Sequence, residues 1–138
     1  MTPVLLDTSS IVALLDRSAE HHDRCVEVVS ALEAPLITCE AVIAESCYLL
    51  RRLRGATAAV LENVERGVFL VPYRLTGNAA AVARLMKKYA DVPMDLADAC
   101  LVQMAGAYQT GRIVTLDSDF RIYRWAKNRP FDSLLESN

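Results

Sequence analysis

Short apolar runs alternate with longer amphipathic stretches along the whole chain of 138 residues. Four runs predict buried strands, because each is brief, mostly apolar and followed by polar or turn residues. They cover residues 3–6, 35–38, 68–71 and 113–116. Apolar positions that recur every three or four residues predict helices over 9–16, 19–33, 40–53, 56–66, 77–90, 95–109 and 118–127. The tail from Pro130 predicts one further short edge strand.

This alternation of strands and helices predicts an α/β fold. Apolar strands without polar alternation are typical of parallel sheets whose two faces are both covered by helices. We therefore expect a three-layer α/β/α domain with a mostly parallel central sheet of four to five strands. The length fits one domain over residues 1–138, and the chain shows no repeat, linker or low-complexity segment.

Composition narrows the classes of protein that the chain can represent. The apolar fraction is 53%, and the formal net charge is only −2, which argues against binding nucleic acid by bulk positive charge alone. No apolar run approaches the roughly 18 residues of a membrane helix, and no signal-like segment precedes the first strand, so we expect a cytoplasmic protein. The four cysteines show no C-x-x-C spacing and are expected to be reduced and buried.

Four carboxylates stand where structure alone does not require an acid. Asp7 and Asp117 each follow an apolar strand, and Glu45 and Asp98 interrupt the apolar faces of two predicted helices. Sites in open parallel sheets form beyond the carboxyl ends of the strands. Because unpaired buried carboxylates are costly, these acids would need compensation. If they converge, they form an all-oxygen site for a hard divalent cation such as Mg²⁺.

For the first two acids, a purely structural role is also possible. Asp7 precedes a helix and could act as its N-cap, although Ser9 or Ser10 could do the same without it. Glu45 could instead form an ion pair with Arg52 or another arginine.

The other two acids have structural alternatives as well. Asp95 is a plausible N-cap, and Asp98 three residues later resembles the acidic half of a capping box. Asp119 could cap a helix that starts near Phe120, which leaves Asp117 as the preferred site residue and Asp119 as a second candidate.

Four short motifs together resemble a known family. They are Leu5-Leu6-Asp7-Thr8-Ser9, Glu45 in the third helix, Asp98-Ala99 and Thr115-Leu116-Asp117-Ser118-Asp119-Phe120. In order and spacing they resemble PIN-domain proteins over essentially the whole chain, and most of all the toxin ribonucleases of bacterial VapBC-type toxin–antitoxin pairs. The resemblance implies an endoribonuclease that depends on Mg²⁺ or Mn²⁺. It also implies a homodimer whose active-site clefts are blocked by an antitoxin chain.

The resemblance also implies roles for particular residues. The acidic quartet that would bind metal and catalyse is Asp7, Glu45, Asp98 and Asp117. Hydroxyls beside the metal would come from Thr8, Ser9 and Thr115, with Asp95 and Asp119 as supporting acids. This chemistry uses a water whose pKa is lowered by the metal and needs no histidine, so His21 and His22 are expected to be solvated surface residues.

Two basic clusters are candidates for contact with the RNA backbone. The first contains Arg51, Arg52 and Arg54, and the second contains Arg121, Arg124, Lys127 and Arg129. Cationic side chains hold phosphates, although charge runs are commonly solvated faces. The second cluster is favoured because it directly follows Asp117.

Two other functions remain open at this point. In a small-molecule phosphohydrolase, Asp7 would act as a nucleophile, but the chain lacks a clear phosphate loop. In a non-catalytic binding module, the acids would serve only as caps and ion-pair partners.

Overall fold

The computed structural model describes residues 1–136, and the predicted domain of 1–138 therefore extends two residues beyond the described part. Six α-helices are present in that part: α1 (Thr8–Leu15), α2 (His22–Ala31), α3 (Glu40–Leu49), α4 (Ala56–Glu65), α5 (Ala79–Lys88) and α6 (Leu96–Tyr108). The strands are β1 (Val4–Leu6), β2 (Leu36–Ile37), β3 (Phe69–Leu70), β4 (Arg112–Val114), β5 (Arg124–Trp125), β6 (Arg129–Pro130) and β7 (Asp132–Ser133). A 3₁₀ helix spans Ser118–Arg121.

A five-stranded sheet lies at the centre of the fold, in the order β3-β2-β1-β4-β7. Every neighbouring pair in it is parallel. The predicted α/β class with a mostly parallel sheet is therefore confirmed. The chain lays β2 and β3 on one side of β1 and then places β4 on the other side. Strand order thus reverses between β1 and β4, which is the position where open α/β sheets form their sites.

The core lies around the two central strands. All three residues of β1 are 0% exposed, as are Ile113 and Val114 of β4. Such complete burial means that both faces of these strands are covered, which explains why the runs are apolar without alternation. The longest helix, α6, adds buried positions on several sides, including Leu101 and Met104. This packing fixes the positions of the carboxyl ends of β1 and β4 relative to each other.

The segment predicted as a helix over residues 118–127 has a different structure, and that prediction was wrong. It forms the 3₁₀ helix Ser118–Arg121 and then an antiparallel hairpin of β5 and β6. Ala126 and Asn128 have positive φ values of 50° and 71°, a backbone region that a right-handed helix does not contain. The Trp125 indole closes the hairpin by donating a hydrogen bond to the Pro130 carbonyl at 3.1 Å.

Other predicted boundaries differ by shorter distances. The helix predicted from residue 19 begins at His22, because the Asp16 carboxylate accepts bonds from the backbone and hydroxyl of Ser18 and holds a turn there. The helix predicted to reach residue 53 ends at Leu49, and Leu50 caps it. The edge strand expected in the tail is β7, which pairs in parallel with β4. Of the four free cysteines, three are buried and Cys47 is half-buried.

Within residues 1–136, none of the helices has the length and apolar character needed to cross a membrane.

Gly111 packs tightly against the β5–β6 hairpin and gives a test of this packing. A Cβ atom built on Gly111 would lie 2.8 Å from Cε2 of the buried Trp125 ring. The ring cannot move away without losing its bond to Pro130. We therefore expect Gly111→Ala to lower the free energy of unfolding by about 1–3 kcal/mol, measured by urea denaturation.

Gly106 provides the matched control for this substitution. It lies inside α6, and a Cβ atom there would meet nothing within 4 Å. Gly106→Ala should raise the free energy of unfolding by about 0.5–1 kcal/mol, since alanine is the better helix former. Equal effects of the two substitutions would contradict the packing described for Trp125.

Candidate active site

The candidate site lies where strand order reverses in the sheet. Asp7 directly follows β1, and Thr115, Leu116 and Asp117 follow β4. Since β1 and β4 are adjacent and parallel, their carboxyl ends meet at the same edge. Two acids that are 110 residues apart in sequence are thereby brought into one region.

A cleft of about 350 Å³ opens at this edge of the sheet. All four acids of the predicted quartet line it, together with Thr8, Ser9 and Asp95 from the supporting set. The remaining lining residues are Val12, Ala13, Ala19, Glu20, His21, Leu49, Ala97, Leu101 and Leu116. A volume of this size lies within the range of small-molecule and active-site pockets.

Asp7 is held by several hydrogen bonds in a buried position. Its Oδ1 accepts bonds from the Ser9 hydroxyl at 2.8 Å and the Ser10 backbone N–H at 3.0 Å. Its Oδ2 accepts a short bond from the Thr115 hydroxyl. Asp7 is itself the N-cap of α1, so neither Ser9 nor Ser10 takes that role in its place. The helix start therefore fixes the orientation of this carboxylate.

Three other acids converge more closely. Carboxylate oxygens of Asp98, Asp117 and Asp119 lie within 4.8 Å of one another, and all three residues are half-buried. Asp95 caps α6 as predicted, with its Oδ1 accepting from the Asp98 backbone N–H at 2.8 Å. The expectation that Asp119 acts as a helix cap was wrong: Asp117 caps the 3₁₀ helix by accepting from the Asp119 backbone N–H. The side chain of Asp119 is consequently directed to the same cluster as Asp117.

Glu45 lies in the same cleft but outside this close cluster. Its Oε1 accepts a bond from the Thr8 hydroxyl at 2.6 Å, which connects α3 to the start of α1. None of the ion pairs among residues 1–136 involves Glu45, so the alternative pairing with Arg52 does not form there. Leu49, one helical turn after Glu45, is 54% exposed, whereas Val42 on the preceding turn is buried, so Glu45 lies at the rim of the core.

Tyr123 contacts one of the candidate site acids, and the sequence did not indicate this residue. Its hydroxyl donates a bond of 2.9 Å to Oδ2 of Asp98, while the residue is 0% exposed. Tyr89 and Phe120 hold its ring through edge-on contacts with centroids 5.1 Å apart. The only signal in the sequence was a tyrosine six residues after Asp117, in a segment predicted to be a helix. The true backbone path of that segment was needed to place it.

The environment of the acids shifts their protonation. Burial raises the pKa of Asp7 to about 6, although the bonds from Thr115, Ser10 and Ser9 oppose the shift. Burial and the charge of Asp95 raise the pKa of Asp98 to about 7. Burial and the nearby Asp117 also raise the pKa of Asp119. Crowded carboxylates that resist ionisation are the donor set that a hard divalent cation would stabilise.

The predicted basic clusters do not line this cleft. Arg121 pairs with Glu136, and Arg124 donates to the carbonyls of residues 121–123. Arg51 stacks on the Tyr48 ring and donates to the Tyr48 carbonyl. Arg129 stacks on Trp125. Several of these cations are therefore engaged by their own surroundings, and their contact with RNA stays a prediction.

The expectation that both histidines are solvated is confirmed for His21, which is exposed, and was wrong for His22. His22 is half-buried, and its Nδ1 lies 2.8 Å from the Ala13 carbonyl. His21 lines the cleft itself and has a side-chain exposure of 51%. Within the described residues 1–136, the cleft lining contains neither lysine nor arginine, and His21 is its one histidine.

Comparisons with known proteins identify the family and the fold. The PIN domain family matches residues 4–126. Ribonuclease VapC26 of Mycobacterium tuberculosis is 30% identical over 116 residues, which are 83% of this chain and 86% of that protein. The crystal structure of Mycobacterium tuberculosis VapC20, a toxin that cleaves the sarcin–ricin loop, superposes with a TM-score of 0.77. At 19% identity it covers 92% of this chain and 99% of its own, and it shows a shared fold.

The raised pKa of Asp7 predicts how stability depends on pH in the metal-free protein. The pKa rises from 3.8 to about 6 on folding, so the folded state binds the proton more tightly and stability falls as pH rises through this interval. We expect Asp7→Asn, in EDTA at pH 8, to be more stable than wild type by on the order of 2 kcal/mol. The difference should shrink towards pH 4, as followed by thermal and urea unfolding.

Asp91→Asn is the control for this measurement, because Asp91 is exposed and lies outside the cleft. It should leave the pH dependence of wild type unchanged. If Asp7→Asn proves less stable than wild type at pH 8, the hydrogen bonds to the ionised carboxylate outweigh the cost of its burial.

Proposed function

The chain belongs to the PIN-domain family, and on this premise we propose that it is a metal-dependent endoribonuclease, the toxin of a type II toxin–antitoxin pair. The observation that carries the proposal is the cluster of Asp98, Asp117 and Asp119 in a cleft at the reversal of strand order. The similarity to a ribonuclease at 30% identity supports RNA as the substrate.

The donor set fits a hard cation. It consists of carboxylate oxygens alone, which suit Mg²⁺ or Mn²⁺ rather than a soft metal. We propose that Asp98, Asp117 and Asp119 hold the ion, with Asp7 beside them in the cleft. A bound ion supplies neutralisation of the phosphate charge and lowers the pKa of a coordinated water. The sequence predicted Asp7, Glu45, Asp98 and Asp117 as ligands, with Asp119 as a second candidate at the position of Asp117. We propose instead that Asp117 and Asp119 both bind the ion.

The remaining residues prepare this site. Asp7 keeps a fixed orientation because it accepts hydrogen bonds from three donors. Its negative charge also contributes to the raised pKa of Asp98. The Tyr123 hydroxyl orients one oxygen of Asp98. Glu45 is held through one oxygen by Thr8, and we assign its other oxygen to accept the proton of the attacking water. Such positioned groups lower the barrier because they need no rearrangement during the reaction.

The alternative of a non-catalytic module has less support. In such a module the acids would serve only as caps and ion-pair partners, and Asp7 and Asp117 do cap helices. Capping does not account for the close approach of Asp98, Asp117 and Asp119. Among residues 1–136, the one ion pair with a cleft acid is Glu20 with His21 at 3.7 Å, and it involves none of the predicted quartet. The small-molecule phosphohydrolase alternative would need Asp7 as a free nucleophile, yet both of its oxygens accept hydrogen bonds.

We further propose that the protein forms a homodimer and binds an antitoxin chain. The similarity to VapC26 supports this assignment. The exposed apolar side chains of Tyr48, Leu53 and Leu61 supply surface of the kind that protein partners cover.

The proposed activity is tested with purified protein and total RNA. Wild type should cleave RNA with Mn²⁺ or Mg²⁺, and EDTA should abolish cleavage. Asp98→Asn and Asp119→Asn should each lower kcat by about 100-fold or more, because each removes a charged donor from the site. Isothermal titration should show weaker Mn²⁺ binding by the same variants, with Asp91→Asn as the control that keeps both properties.

The toxin role is tested in growing cells. Induced expression of wild type should arrest growth, and expression of Asp98→Asn should not. Cleavage that persists in EDTA, or that survives Asp98→Asn, would contradict the proposed chemistry.

Tyr123 allows a separate test of how the site is oriented. Tyr123→Phe keeps the packed ring but removes the hydroxyl that donates to Asp98. We expect roughly a tenfold weaker affinity for Mn²⁺, since loss of a bond that orients a metal ligand has effects of this size. Titration calorimetry measures this directly. The control is Tyr108→Phe, because Tyr108 lies at the end of α6 outside the cleft. Equal Mn²⁺ affinities of Tyr123→Phe and wild type would show that Tyr123 does not orient a metal ligand.

A further inference from the structure

A second pocket, of about 280 Å³, shares no lining residue with the acidic cleft. Two cysteines, Cys39 and Cys100, line it together with Tyr73. The other lining residues are Glu40, Ala41, Leu75 and Leu96. We call this pocket the thiol pocket. It brings together two of the four cysteines of the chain, which come from distant parts of the sequence.

The two cysteines of the thiol pocket are in contact. Cys39 is the N-cap of α3 and Cys100 lies within α6, and both are buried. Their thiols form a hydrogen bond with each other. Because α3 and α6 pack against each other, this contact is part of the folded core. Two sulfur atoms that already touch need only a small approach to form a disulfide.

Tyr73 adds a hydroxyl group to the same pocket. The residue is 7% exposed, and within residues 1–136 its hydroxyl makes no hydrogen bond to a nitrogen or oxygen atom. It lies beside the Cys100 thiol, and thiol sulfur is only a weak acceptor. Buried hydroxyls normally have a good partner. An oxygen atom bound to the Cys100 sulfur would supply that partner.

A pair of thiols can bind a soft metal ion or can be oxidised. Structural zinc sites use four ligands, mostly thiolates and imidazoles. In the described part of the chain, the cluster of three or more metal-binding side chains is Asp98, Asp117 and Asp119, and it contains neither cysteine. Two touching thiols beside a hydroxyl instead match the requirements of oxidation to a disulfide.

We propose that Cys39 and Cys100 are a redox-sensitive pair that hydrogen peroxide converts to a disulfide. The Cys100 sulfur attacks one peroxide oxygen, the O–O bond breaks, water leaves and a sulfenic acid forms on Cys100. The Tyr73 hydroxyl donates a hydrogen bond to the sulfenic oxygen. The Cys39 sulfur then attacks the Cys100 sulfur, the S–O bond breaks and a second water leaves. In total the two sulfurs lose two electrons, and the peroxide takes up these electrons and both thiol protons to become two waters.

The disulfide connects two helices of the candidate active site. Glu45 lies on α3, which Cys39 caps, and Asp98 lies on α6 one half-turn before Cys100. A disulfide holds its sulfurs about 2 Å apart, closer than a thiol hydrogen bond, so it draws the two helices together. A shift of about 1 Å in an active site can lower its rate on the order of 100-fold. We therefore expect oxidation to weaken Mn²⁺ binding and to slow cleavage; the effect on cleavage rests on the proposed ribonuclease function.

Disulfide formation is measured first, on the whole protein in EDTA and without RNA. The protein is treated with hydrogen peroxide, free thiols are alkylated, and linked peptides are sequenced by tandem mass spectrometry. Wild type should lose two free thiols and gain one bond within the chain, between Cys39 and Cys100, which dithiothreitol breaks. A bond between two chains, a different pair, or four thiols that stay free would overturn the proposal.

Cys47→Ser is the matched control for the two cysteines. Cys47 lies in α3 but is half-buried and does not line the thiol pocket. It would react before the buried thiols if exposure alone governed oxidation. Cys47→Ser should form the disulfide as wild type does, whereas Cys39→Ser and Cys100→Ser should not. Serine is a good N-cap, so Cys39→Ser should keep the start of α3 intact.

Tyr73→Phe tests the role of the hydroxyl in the rate of oxidation. It should slow disulfide formation roughly fivefold, the effect of losing one hydrogen bond. Tyr48→Phe is the control, because Tyr48 is exposed and lies outside the thiol pocket. The rate is followed by alkylation of samples withdrawn over time. Equal rates for Tyr73→Phe and wild type would overturn the part assigned to Tyr73.

Mn²⁺ titration and RNA cleavage then compare the reduced and oxidised forms. Oxidised wild type should bind Mn²⁺ at least fivefold more weakly and cleave RNA at least tenfold more slowly, and reduction should restore both. Peroxide-treated Cys39→Ser should keep the Mn²⁺ affinity of its reduced form. A disulfide that weakens Mn²⁺ binding in a protein that never cleaves RNA would defeat the proposed nuclease function alone. A disulfide that changes neither Mn²⁺ affinity nor cleavage would overturn the redox control alone.

Discussion

Repulsion among carboxylates in a shielded cleft is the constraint on which the rest of this site depends. Asp98, Asp117 and Asp119 approach within 4.8 Å, and Asp7 lies beside them in almost complete burial. In a protein optimised for stability alone these positions would carry neutral side chains. Burial is the main cause of the raised pKa values of Asp7 and Asp98, and the charges of neighbouring carboxylates raise them further. The metal ion proposed for this cluster would offset this cost by neutralising the carboxylate charges.

The acids are held together by the same contacts that begin the helices. Asp7 caps α1, Asp95 caps α6, and Asp117 caps the 3₁₀ helix. A capping carboxylate keeps one lone pair on a backbone N–H and leaves others available to the cleft. Capping and a role in the site are therefore compatible in this fold. For Asp7 and Asp117, the structural and functional alternatives are therefore not mutually exclusive.

Charge is distributed in a way that composition does not reveal. The net charge is −2, and the arginines that follow Asp117 in sequence are tied to Glu136 or to backbone carbonyls. Among residues 1–136, the cleft lining consists of acids, apolar side chains, the hydroxyl residues Thr8 and Ser9, and His21. For the proposed ribonuclease, contacts with the RNA backbone would therefore come from the proposed metal ion and from cationic side chains outside the cleft lining.

The sequence by itself determined the α/β class, the parallel sheet and which acids were candidates, because strand burial and helix periodicity are local patterns. It even placed Asp7 and Asp117 correctly at strand ends. Only the tertiary structure decided that Asp119 joins the cluster, that Tyr123 supports Asp98 and that His21 faces the cleft. These facts depend on the backbone path after β4 and between α1 and α2. These segments are held by single hydrogen bonds, such as those from Ser18 to Asp16 and from the Asp119 backbone N–H to Asp117, which leave no periodic signal in a sequence.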